Sequence, residues 1–90
     1  MIVRVTETYD NAAPGAEPNS WLFENVSDLS LTLAIVLDNE ARDWREYNKL
    51  FVTAAVDELC AMLEAAAKTV VEQRLTSIQV GEHFYQISEV

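Results

Sequence analysis

Residues 41–75 contain neither glycine nor proline, and that run limits what the chain can become. Its middle reads WREYNKLFVTAAVDELCAMLEAAAKTVVEQR. Ala, Leu, Glu, Lys and Arg, the strong helix formers, fill much of it. One long amphipathic helix is expected, with everything else arranged against one side. At 1.5 Å per residue it would run about 50 Å. That is long for so small a domain, so a bend near Thr53 is expected.

Advancing each residue by about 100° from Trp44 sorts the run into faces. Phe51, Ala55, Leu59, Met62, Ala66 and Val70 share one side, flanked by Val52 and Leu63; this is the expected core stripe. The opposite side collects Asp43, Glu46, Asp57, Glu64 and Glu72 within an arc of about 80°, with Lys68 the one base among them. Arg42, Arg45, Lys49 and Arg74 project toward a flank. Glu64 and Lys68 suit an i,i+4 pair. Tyr47 leans off the core stripe toward the acids, and Leu50 does so more strongly. An apolar leucine among acids points to a contact, a second copy of the chain being one candidate.

The flanks read as strands. Residues 2–9 carry Val3, Val5, Thr6 and Thr8, which suit a pleated surface. Residues 10–20 hold Pro14, Gly15, Pro18 and Asn19 and read as a loop. Residues 21–24 are a short apolar run that returns as a second strand. At the other end IQV-GE-HFYQI has two β runs around Gly81-Glu82, with glycine placed for a type II′ hairpin. Phe84 and Tyr85 point to opposite faces, so one register cannot bury both.

Residues 28–37 carry two signals. Leu29, Leu31, Leu33, Ile35 and Leu37 alternate as in a strand. Yet Ser27 is a good N-cap, Asp28 suits a helix N-terminus, and Leu29, Leu33 and Val36 would share a helical face. A short helix is the preferred reading, with a turn at Asp38 and Asn39 before the long one. The expected fold is a single α+β domain over residues 1–90. In it a small antiparallel β-sheet, made of the N-terminal strand pair and the C-terminal hairpin, is packed by a short helix and one long amphipathic helix.

Charge and composition restrict function more than any motif does. Fifteen acids stand against six bases, a formal charge of −9. Such a surface repels nucleic acid and anionic membrane and favours a basic partner. No run is long enough to cross a bilayer, and the opening MIVRVTETYD lacks the regions of a signal peptide. A cytoplasmic location is expected. Cys60, the single cysteine, reads as a small buried apolar group. His83, the single histidine, has no cysteine or second histidine nearby and lacks the roughly four closely spaced ligands of a zinc site, so no metal site is expected; it reads as an exposed or edge-strand residue. Two glycines exclude a glycine-built phosphate cradle. No catalytic residue and no cofactor are assigned. A pocket gathering His83 with two carboxylates would be needed to revive an enzymatic reading.

The layout of a strand, FENVSDL opening a helix, a long acid-backed helix and a closing VGEHFYQISEV hairpin resembles small acidic phage and mobile-element proteins, including anti-CRISPR inhibitors of host defence. The resemblance covers the whole layout and no specific motif. It implies a non-enzymatic inhibitor, acting in the host cytoplasm, that occupies a basic surface of a nucleic-acid-handling protein. Asp43, Glu46, Tyr47, Leu50, Asp57, Glu64 and Glu72 are the expected partner-binding residues. The alternative is a homodimeric assembly module joined through Leu50 and its helical neighbours, its acidic face merely solvated.

Overall fold

The computed structural model describes residues 1–10, 14–47 and 54–90. In chain order they form β1 (Val3–Tyr9), β2 (Asn19–Phe23), α1 (Leu29–Tyr47), α2 (Ala54–Gln73), β3 (Ser77–Val80) and β4 (His83–Glu89). The strands make one antiparallel sheet in the order β2-β1-β4-β3, and the two helices pack together on one of its faces. The α+β class and the pairing of the N-terminal strands with the C-terminal hairpin are as expected.

Alternation along the central strands explains the sheet. Val3, Val5 and Glu7 of β1 face the helices, as do Tyr85 and Ile87 of β4, and all five are buried. The register sets Val5 opposite Ile87 and Glu7 opposite Tyr85. Val80 pairs with His83 across a two-residue turn. Gly81 has φ of 61° there, a conformation that favours glycine at the first central position of a type II′ turn.

The helices depart from expectation. Residues 41–75 do not form one helix, and no turn separates Asp38 from Asn39: α1 runs straight through both to Tyr47, and α2 starts at Ala54. The longest dimension of the molecule is 39 Å, less than a 50 Å rod would need. The cause is cover. Strands of four to seven residues reach at most about 24 Å at 3.4 Å per residue, so half of a 50 Å apolar stripe would meet water. Two helices folded against each other bury both stripes, which is where most helix stability in a protein arises.

Helix phase changes accordingly. On α1, Leu33, Ala34, Val36, Leu37 and Ala41 are buried, whereas Leu31 and Ile35 are exposed, which resolves the alternating leucines in favour of a helix. On α2 the buried set is Cys60, Leu63, Ala66, Ala67 and Val70. Ala66, Val70 and the flanking Leu63 are buried as expected and Leu59 packs against the core, but Met62 is 40% exposed and Ala55 is also exposed, so the stripe is shifted toward Cys60 and Ala67. Its phase was carried from Trp44 through a helix that does not continue. Phe51, Val52 and Thr53 lie outside the described residues.

The ends of the helices are capped locally. Asp28, rather than Ser27, caps α1: its Oδ1 accepts from the Leu31 N–H at 3.0 Å. Asp28→Ala is expected to cost about 1 kcal/mol, read as a lowered urea midpoint. α2 ends in a Schellman-type turn, with Arg74 at φ 53° and the Leu75 N–H donating to the Val70 carbonyl at 3.0 Å. Buried Ser30 donates to the Leu75 carbonyl at 2.8 Å. That bond ties the start of α1 to the end of α2, and with Cys60 against the Ala41 carbonyl at 3.3 Å it establishes that the helices run antiparallel.

Candidate functional site

Antiparallel packing brings the last turns of α1 and the first turn of α2 to one end of the helical layer. Asp43, Glu46 and Tyr47 arrive there from α1, and Asp57 and Glu58 from α2. All five are exposed, Tyr47 by 90%. Among the described residues the four carboxylates make no ion pair. Of the described cations nearby, Arg42 donates to Asn39 at 3.0 Å and Arg45 pairs with Glu64.

The remaining expected partner-binding residues separate from this end. Glu64 is half-buried and neutralised by Arg45 instead of pairing with Lys68. Glu72 lies on the far turn of α2. The two helices bound an outward-facing groove of about 640 Å³, floored by Leu31, Ile35, Ala61, Ala65 and Val71 and rimmed by charge, and Glu64 and Glu72 belong to that rim. The single acidic arc is therefore two acid sets on two helices. Leu50 lies outside the described residues.

A third feature was missed in the sequence. Glu7 is 8% exposed on the helix-facing side of β1. Tyr85 Oη donates to its Oε2 at 2.6 Å, and Asn19 Nδ2 donates to its Oε1 at 2.9 Å. His83 Nδ1 stands 3.3 Å from Oε2, and the Tyr9 ring packs 4.8 Å from the imidazole. The signal was present: Glu7 keeps the inward parity of Val3 and Val5. His83 is not an edge residue, because β4 lies between β1 and β3.

Glu40 on α1 faces this network. Its carboxyl is pushed up to about 7 from the ordinary 4.5, first by burial and then by the charges of Glu7 and Asp43. Burial and the hydrogen bond to Glu7 likewise push the Tyr85 phenol up. The sign for Glu40 follows from linkage. Its folded-state value exceeds the unfolded one, so between about pH 4.5 and 7 the native chain holds more proton and stability falls as pH rises. Glu40→Gln is expected to flatten that decline and to gain roughly 1 kcal/mol above pH 7, the shift being discounted for a half-exposed group. Thermal melts at pH 5, 6, 7 and 8 check it.

No protein-family model, curated protein or solved structure matches the chain.

Geometry therefore has to carry the reading. His83 and Glu7 do meet, with Glu40 close by, but the two carboxylates border different clefts: Glu7 one with Tyr9, Glu17 and Asn19, and Glu40 another with Asp43, Trp44 and Tyr47. The single thiol stands apart from this network. Cys60 is fully buried against Ala41, and burial pushes its thiol up, opposite to what activates a thiol. Glu7 acts as a hub that joins β2 and β4 to β1. Among the described residues no three His, Cys, Asp or Glu side chains converge as metal ligands would, and no helix is long and apolar enough to cross a membrane.

Proposed function

We propose that this chain is a non-enzymatic, acidic protein-binding inhibitor. It occupies a basic surface on a nucleic-acid-handling complex, such as a CRISPR or other host-defence effector. One observation carries the reading: Tyr47 stands 90% exposed on the same helical end as Asp43, Glu46, Asp57 and Glu58. An exposed aromatic ring on an end whose carboxylates make no ion pair among the described residues is suited to anchor in a pocket while the charges steer the encounter. The contact set is narrower than the sequence suggested. Glu64 is engaged by Arg45, and Glu72 lies at the opposite end of its helix.

The test is displacement. Purified chain is titrated against effector complexes of several types, each preloaded with labelled duplex DNA. Release of DNA that weakens between low and moderate salt is the expected result, because the encounter is electrostatic. No release from any effector tested, or release indifferent to salt, counts against the proposal.

A further inference from the structure

We infer that the outward groove between α1 and α2 is a self-association surface, which joins two copies of this chain through their helical layers. This is independent of the acidic end and uses different residues. Four observations argue for a second copy as the occupant.

The first is apolar exposure. Leu31, Ile35 and Val71 are 48%, 46% and 45% exposed, and all three lie in the same groove. They sit on the side of the helices turned away from the sheet, so no described strand or helix covers them. Ala61 and Ala65 between them are small enough to let another helix approach closely.

The second is charge. The groove is rimmed by Asp38, Glu64 and Glu72 but also by Arg45 and Lys68. Three acids against two bases is close to balanced, in a chain where fifteen acids face six bases. A copy of so acidic a chain meets little net repulsion here. A basic partner would be drawn to the Tyr47 end instead.

The third is self-complementarity. A two-fold interface presents the same patch on both sides. Lys68 has no ion pair among the described residues, and neither has Asp38 or Glu72. A rim with one free base and two free acids can satisfy itself across a dyad.

The fourth is size. Helices of 19 and 20 residues are about 30 Å long and, side by side, about 20 Å wide. The stretch that lines the groove, residues 31–45 of α1 and 61–72 of α2, takes up about 20 Å of that length, so the face is roughly 400 Å² per copy, short of the ~800 Å² per partner of a standard interface and suited to a weak, concentration-dependent dimer.

Sedimentation of the full chain, from about 1 µM to about 100 µM, tests the inference. The expected result is conversion from the 10.1 kDa monomer to a dimer of twice that mass. Ile35→Glu and Val71→Glu should abolish dimerisation, and unchanged far-UV circular dichroism would show the fold intact. Leu31→Ser provides the same reading should a glutamate disturb α1. Added salt should change the dimer little, because it screens the rim pairs across the dyad and the like-charge repulsion together, whereas it weakens the complex made through the acidic end. A monomer across the whole range overturns the inference, and so does a dimer that survives all three substitutions. Neither result bears on displacement of DNA by the Tyr47 end, so the two proposals fail separately.

Discussion

Truncating Tyr85 to alanine is expected to remove about 3–5 kcal/mol of folding stability, the range for deleting a buried aromatic side chain. The ring is 1% exposed and is the largest fully buried side chain among the described residues. It fills the space between β4, β1 and the helices. Its hydroxyl is a separate contribution. Tyr85→Phe keeps the ring but takes one of two hydrogen-bond donors from a carboxylate that is 8% exposed, and should cost about 1–3 kcal/mol. A chain of this size is stabilised by roughly 5–13 kcal/mol, so the alanine variant loses a large share and the phenylalanine variant a modest one. Urea denaturation followed by circular dichroism measures both. Equal losses would mean that the hydroxyl carries the whole effect, and no loss in Tyr85→Phe would remove Glu7 from its role as a hub.

Reversing Asp43, Glu46 and Asp57 together to lysine is expected to weaken partner binding at least about a hundredfold, near 3 kcal/mol. All three side chains are exposed and unpaired among the described residues, so the variant should keep its native circular dichroism, with the loss of Asp57 from the first turn of α2 costing up to about 1 kcal/mol of stability. The loss should fall mainly on the association rate and shrink as salt rises, since steering is screened over about 10 Å at 0.1 M. Tyr47→Ala should instead raise the dissociation rate, leaving the salt dependence as it was. A triple variant that still displaces DNA as well as the natural chain would move the contact away from this end.

Local chemistry was legible wherever a choice depended on near neighbours. The parity of Val3 and Val5, the glycine-first hairpin at Gly81 and the burial of Cys60 could all be read from residue type and spacing. The helical nature of residues 28–37 was legible too, because the caps outweighed the alternation. Long-range choices were not. The marks near residue 48 are weak: there is no glycine and no proline, only Asn48 and the poorer helix formers Phe51, Val52 and Thr53. Propensity favoured continuing the helix.

The amino-acid order by itself determined the α+β class, the two strand pairs, the acidic balance and the exclusion of glycine-built phosphate sites. These follow from short-range periodicity and from charge, which need no partner to be evaluated. Only the tertiary structure decided where the helical run divides, which acids share an end, that Arg45 takes Glu64, and that Glu7 lies inside. Each of those depends on what is packed opposite. A short sheet can cover only a short helix, an antiparallel return resets the helical phase, and a buried carboxylate is tolerated only when Tyr85 and Asn19, distant in the chain, arrive to bond it.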